Sequence, residues 1–251
     1  NPIKKNSMEI VRHIFESKND WDKIRALLFT ASRISEIMPN GKVLMTADEL
    51  IEYKKVNPKS QAKYKEDETV LGDGAISYIL ELIQRMEGAP KEQFYSNSME
   101  WGNTTEPQAA IRYCEDYGFD LFADNVIYTS AGGTVFFVGD DLLGCTPDLI
   151  LPEKTVQIKC PDSGTHLRYK LFLNEDNFQS SQSGYFYQMQ LEMMLTERKQ
   201  SDFFSFDPRF TREKMQTHKV EVAANIEVQN AIFRKAKVCK KQMDEFINQL
   251  K

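Results

Sequence analysis

The chain has 251 residues, 41% of them hydrophobic and 27% charged, a balance that supplies a substantial core and excludes wholesale disorder. Its 32 basic and 37 acidic residues give a formal charge of -5, which excludes a uniformly basic nucleic-acid coat but leaves room for a local basic groove. No apolar run reaches the ~20 residues of a membrane span, and Asn1 to Lys5 lacks the pattern of a signal sequence. Cys114, Cys145, Cys160 and Cys239 stand too far apart for a zinc ribbon, a CxxC redox pair or an iron–sulfur cluster. The expectation is a cytoplasmic protein with reduced thiols.

In chain order, Met8 to Phe29 is expected to be helical, because Ile10, Ile14, Trp21, Ile24 and Leu28 recur at mixed three- and four-residue spacing. Thr30 or Ser32 caps a second short helix through Ile34 and Ile37, ended by Pro39-Asn40-Gly41. Thr46 and Glu49 form a capping box that starts a third. Tyr53 to Lys65, with Lys54, Lys55, Lys59, Lys63 and Lys65 between two tyrosines, reads as a solvated loop or arch. Stacking combined with phosphate neutralisation would suit it to frayed single strands.

Helical spacing returns over Ala75 to Met86, and Gly88-Ala89-Pro90 breaks it. Thr105 is placed as a cap and Pro107 in the first turn of a helix that Tyr117-Gly118 stops. From Asn125 to Ile158 short β-rich runs alternate with turns at Gly132-Gly133, Gly139-Asp140 and Pro152 to Lys154, which predicts a meandering sheet. Tyr185 to Leu195 reads as helix with Met189, Met193 and Met194 in the core, and Asp202 to Phe206 as strand. Val228 to Leu250 is a long amphipathic helix with Ile232, Cys239, Met243, Phe246, Ile247 and Leu250 inward. The order predicts one α/β domain over residues 1–251.

The chemistry concentrates at Thr146-Pro147-Asp148 and, after a turn, Gln157-Ile158-Lys159. On a strand, positions 157 and 159 share a face while Ile158 points the other way, and Asp148 on the neighbouring strand can meet both across the hairpin. A carboxylate and a cation so placed have the right types for phosphodiester hydrolysis, which needs oxygen ligands for Mg²⁺ or Mn²⁺ and a group to orient the attacking water. Taken singly, Asp148 reads more readily as a turn acid and Glu106 as a helix first-turn acid, and Arg25 reads equally as a partner of Asp22.

The pattern resembles the PD-(D/E)XK nuclease core, with Pro147-Asp148 as its first half and Gln157-Ile158-Lys159 as its second. Further segments resemble, in order, the lambda-exonuclease (YqaJ-like) branch of phage recombination nucleases. These are Trp21 to Arg25 with Thr30-Ala31-Ser32, Trp101-Gly102 with Glu106, Lys159-Cys160-Pro161, Tyr185 with Gln188 and Gln190, and Phe206 to Arg209. The resemblance implies a mixed central sheet flanked by helices, with helical additions at both ends. It implies that Asp148, position 157, the Ile158 carbonyl and Glu106 hold Mg²⁺ (or Mn²⁺), that Lys159 activates the water, and that Gln188 and Gln190 steady water or substrate. Arg25, Thr30, Ser32 and Thr146 would hold a terminal 5′-phosphate, a role that guanidinium and hydroxyl chemistry suits. The implied activity is a 5′→3′ exonuclease on double-stranded DNA ends that leaves 3′ strands, working as a homotrimeric ring with a single-strand annealing recombinase.

One position departs. The family has Glu or Asp at 157, and Gln157 keeps the shape and one acceptor oxygen but lacks the charge that helps a hard dication bind. An introduced Glu→Gln replacement that disables cutting and a naturally variant site both account for it. The alternatives are an endonuclease of restriction or repair on the same core, and a DNA-end-binding protein that has lost catalysis.

Overall fold

The computed structural model describes residues 8–14, 18–89, 96–129 and 136–251. Strand β1 (Ile10–His13), helix α1 (Lys18–Arg25) and the short β2 (Phe29–Thr30) lead into a 3-10 helix over Ala31–Ile37. Next come β3 (Asn40–Leu44), α2 (Ala47–Val56), β4 (Tyr64–Leu71), α3 (Asp73–Met86) and α4 (Asn97–Tyr117). Strands β5 (Ile127–Tyr128), β6 (Phe136–Gly139), β7 (Leu143–Cys145), β8 (Leu149–Ile150) and β9 (Lys154–Lys159) follow. The remainder is α5 (Ser163–Phe172), α6 (Phe178–Ser181), α7 (Ser183–Thr196), β10 (Gln200–Phe206), β11 (Thr217–Ala223) and α8 (Ile226–Gln249).

The central sheet runs β11-β10-β9-β8-β5. It is mixed, because β9 and β10 are parallel while β8–β9 and β10–β11 are antiparallel. Helices cover both faces. Val156, Ile158, Phe204 and Phe206 pack on Ala109, Ala110 and Tyr113 of α4, and Phe203 packs with Phe186, Met189 and Met193 of α7. With both faces covered, Thr155 to Ile158 are all buried, which is why β9 reads as a near-continuous buried run rather than as a half-wet strand. A third core joins Ile34, Ile37, Tyr78, Ile79 and Leu82 to Leu191 and Leu195 of α7 and to Ile232, Cys239 and Met243 of α8.

Several expectations hold. The Thr46–Glu49 capping box is formed in both directions, and Gly118 ends α4 at φ 74, a left-handed conformation that glycine enters without a Cβ penalty. Met189 and Met193 are fully buried.

Others are corrected. Ile10–His13 is a strand rather than the start of a helix, because its backbone pairs with β6 from Ile10↔Gly139 to His13↔Phe136. The expected arch survives only as a largely exposed loop over 57–63, because its two ends belong to α2 and to strand β4, which pairs antiparallel with β3 beyond the intervening α2, and Lys65 is ion-paired with Glu49 at 2.6 Å. Thr105 is not a cap. Helix α4 begins after Ser96, whose side chain accepts from Met99 N, and runs through Pro107 in its interior. The expected single meander is split, since β6 and β7 join β1 and β2 in a second sheet of order β1-β6-β7-β2. Leu250, expected inward, is 72% exposed because α8 outlasts the core it packs on. The Gly132-Gly133 turn lies outside the described residues.

Candidate active site

The β8–β9 hairpin, in register Leu149↔Val156 and Ile150↔Thr155, sets Asp148 opposite position 157. Asp148 Oδ2 accepts hydrogen bonds from the Ile158 backbone N–H at 2.7 Å and from Gln157 Nε2. The Gln157 Oε1 accepts from Gln188 Nε2 of α7, which also donates to Glu192 Oε1 at 2.8 Å. Asp148, Gln157, Gln188 and Glu192 therefore form one continuous polar chain beneath the sheet's α7 face. Lys159 shares that strand face, half-buried, with Nζ 5.1 Å from the centre of the Tyr185 ring.

These groups floor a cavity of about 210 Å³ whose walls include Arg25, Thr30, Ser32 and Thr146. Segments this distant in sequence meet because β2 pairs in parallel with β7, Phe29↔Leu143 and Thr30↔Gly144, which draws Thr30 to Ser32 alongside Thr146. Arg25 Nη2 donates to Ser32 Oγ at 3.4 Å, and Thr30 Oγ1 lies 3.4 Å from Ser32 Oγ. Tyr78, which the sequence reading did not single out, braces this wall. Its hydroxyl takes the Thr30 N–H at 2.9 Å and donates to the Leu28 carbonyl at 3.2 Å.

Glu106 sits on the other side of Lys159, in a cavity of about 380 Å³ shared with Ile158, Lys159, Cys160 and Tyr185. Tyr128 donates to its Oε1 at 3.4 Å. The two cavities meet at Lys159, which lines both.

Burial dominates the electrostatics. It raises the Asp148 carboxyl, against the lowering pull of Lys159 and of the Ile158 N–H. Burial, and then the neighbouring charge of Asp148, push Glu106 up to about 7 and Glu192 up to about 8. Desolvation lowers the Arg25 guanidinium. Desolvation thus disfavours the charged form of all three carboxyls, a penalty that a bound cation would offset.

The donors fit a hard metal ion. Among the described residues no three His, Cys, Asp or Glu side chains form a complete cage. Mg²⁺ does not need one, because it keeps several waters and binds through one or two carboxylates. Asp148, the Gln157 amide oxygen, the Ile158 carbonyl and Glu106 are all oxygen donors of that kind. A carboxylate oxygen of Glu192 is buried with no hydrogen-bond partner.

The YqaJ-like viral recombinase domain matches residues 20–199, a span that contains every group of both cavities. The chain belongs to the YqaJ-like viral recombinase family. In fold it is similar to an alkaline exonuclease, LHK-Exo, from Laribacter hongkongensis, at TM-score 0.61 and 22% identity over 92% of this chain and 95% of that one. The complex of LHK-Exo with dAMP matches equally well. A phage-related exonuclease from Haemophilus somnus 129PT aligns at TM-score 0.62 and 17% identity, covering 90% of this chain and 97% of that one. No curated protein matches in sequence.

The motif segments of this YqaJ-like chain are tied together by Arg209. Its guanidinium stacks 4.1 Å over the Trp101 ring, donates to both oxygens of Asp207, and donates to the Pro161 carbonyl at 2.9 Å. Trp101-Gly102, Lys159-Cys160-Pro161 and Phe206 to Arg209 are thus one structural clamp behind the site. Gln190 is not brought to the cavity. Two residues after Gln188 on a helix, it points away, donating to the Ala223 carbonyl and accepting from Asn225 N at 2.8 Å each. Glu192, absent from the sequence reading, is brought in, and its spacing of four from Gln188 is the signal that finds it.

Proposed function

We propose that the chain is a Mg²⁺-dependent exonuclease, with Mn²⁺ able to substitute, that enters double-stranded DNA at a 5′-phosphorylated end and cuts 5′→3′ to leave a 3′ strand for recombination. The observation that carries this reading is the single cavity uniting Arg25, Thr30, Ser32 and Thr146 with Asp148, Gln157 and Lys159. A terminal phosphate held by the guanidinium and hydroxyls fixes the register of the strand. The next phosphodiester then lies against the floor, so cleavage is measured from the end.

Asp148, Gln157, the Ile158 carbonyl and Glu106 would hold the metal, which when bound polarises the phosphate and acidifies a water. Lys159 orients that water from the shared strand face and offsets the negative charge that develops on the phosphate. Gln188, tethered to both Gln157 and Glu192, holds the Gln157 oxygen with its nitrogen toward Asp148, and its release would free that oxygen for the metal. The reading includes one nuclease domain over residues 1–251, a homotrimeric ring threaded by duplex, and an annealing recombinase as partner in the host cytoplasm.

Gln157 favours a second reading, a DNA-end-binding protein that no longer cuts. The test compares the chain and Q157E on linear 5′-phosphorylated duplex, linear 5′-hydroxyl duplex and covalently closed circles, with Mg²⁺ or EDTA. The exonuclease reading expects Mg²⁺-dependent loss of the 5′-phosphorylated linear duplex, faster for Q157E, and intact circles. Cutting of circles supports a restriction- or repair-type endonuclease instead, and an inert Q157E supports the end-binding protein.

A further inference from the structure

Glu192 is a glutamate in the middle of α7, only 1% exposed, with one carboxylate oxygen buried and lacking any hydrogen-bond partner. Leaving such an oxygen unsatisfied is expensive, so buried carboxylates are ordinarily paired or bound to a cation. The partnered oxygen is held by Gln188 Nε2, the same nitrogen that donates to the amide oxygen of Gln157. The two headgroups, of residues 157 and 192, therefore flank one donor and border the same cavity as Asp148. Position 157 is the one place where the site carries a neutral amide beside Asp148. The carboxylate next to it, on a different element, is uncommitted at one oxygen.

We infer that Glu192 is a metal-binding residue of this chain, supplying from α7 the carboxylate that position 157 lacks. The inference rests on the metal-dependent reading above and adds a residue to it. With Asp148 and Glu192 the cavity offers two carboxylates to a hard dication, plus neutral oxygen from Gln157 and the Ile158 carbonyl, a donor set of the kind Mg²⁺ and Mn²⁺ take. The helix that carries Glu192 packs directly on β9 and against the 3-10 helix over Ala31–Ile37. Its position is thus set by the core rather than by a loop.

The test is a Mn²⁺ titration of the full chain, reading free ion by its electron paramagnetic resonance signal, for the parent, E192Q, Q157E, Q157E/E192Q and D148N. E192Q retains the volume and the oxygen that Gln188 binds. It is expected to weaken Mn²⁺ binding by at least roughly 10- to 100-fold, the loss that follows even when only the groups orienting a metal's ligands are changed. In the Q157E background the same substitution is expected to cost far less, because a carboxylate is again present at 157. Recovery of affinity in Q157E/E192Q also shows that E192Q leaves the fold intact.

An E192Q protein that binds Mn²⁺ as the parent does, while D148N does not, overturns the role of Glu192 and leaves the metal site standing. A double variant as weak as E192Q alone also overturns it, by making Glu192 a structural acid. Absence of specific Mn²⁺ binding in the parent and in Q157E removes the metal-dependent reading and the inference together.

Discussion

Placing an acid at position 157 perturbs the charge balance of the cavity most directly. In Q157E the donor that Gln157 Nε2 offers to Asp148 Oδ2 is lost, and a second carboxylate oxygen takes its place. Two unit charges ~4 Å apart repel by about 4 kcal/mol at an effective dielectric near ~20. Proton uptake by one member of the pair relieves part of this, so a metal-free cost of about 2–4 kcal/mol is expected. For a chain of this size each kcal/mol moves Tm by roughly 2–4 °C, which places the metal-free melt of Q157E roughly 5–15 °C below that of the parent. Mg²⁺ acts in the opposite direction. At about a hundred times its Kd it returns about 2.7 kcal/mol to the form that binds it, and Q157E, with the extra carboxylate, binds it more tightly. Thermal denaturation in EDTA and in saturating Mg²⁺ reads both effects, with the gap between the proteins closing or inverting in metal. A Q157E protein that melts with the parent in EDTA would falsify the placement of residue 157 against Asp148.

Three further outcomes are expected. R25A, made in the Q157E background, should slow digestion of 5′-phosphorylated linear duplex and leave the rate on 5′-hydroxyl ends unchanged; equal loss on both ends removes Arg25 from phosphate capture. Glu192 faces Asp148, Lys159 and Cys145, and its carboxyl stands near about 8 in the fold against an ordinary 4.5. The folded chain thus keeps a proton that the unfolded chain releases between those values, and metal-free stability falls by up to about 1.4 kcal/mol per pH unit across that window before levelling off above it. Urea unfolding below, within and above the window should show E192Q gaining on the parent as pH rises, and parallel profiles refute the burial argument. Q190A should cost about 1–3 kcal/mol by stranding the Ala223 carbonyl and the Asn225 N–H, with Mn²⁺ affinity unchanged; a weakened ion would place Gln190 in the site after all.

What is legible in the sequence follows the range of the rule that reads it. Strand alternation is local, so Gln157 and Lys159 can be placed on one face and Ile158 on the other before any fold is known, and the hairpin turn then delivers Asp148. The phosphate wall is different. Arg25, Thr30 and Ser32 reach Thr146 only through the parallel β2–β7 pairing, two residues long, which has no local signature and is visible in sequence only as a family resemblance. The same holds for Ile10–His13, whose apolar spacing suits a helix until β6 offers a ladder, and for Pro107, whose preference for a first turn is overridden when Ser96 starts α4 far upstream.

The helix rule cuts both ways in α7. Reading Gln188 and Gln190 as a pair ignores that residues two apart on a helix face different directions. Applying that rule rejects Gln190 and selects Glu192 one turn on, from sequence alone. The selection carries a physical consequence for position 157. An acid there would face Asp148 and lie beside a buried Glu192, three carboxyls with Lys159 as the nearby cation. An amide there instead donates to Asp148 and accepts from Gln188, satisfying both ends of the Gln157 side chain. Gln157 therefore adds no further negative charge to a cavity that already holds Asp148 and Glu192, and its neutrality alone does not mark the site as dead. Whether the cavity binds a dication turns on the carboxylate that α7 holds in reserve.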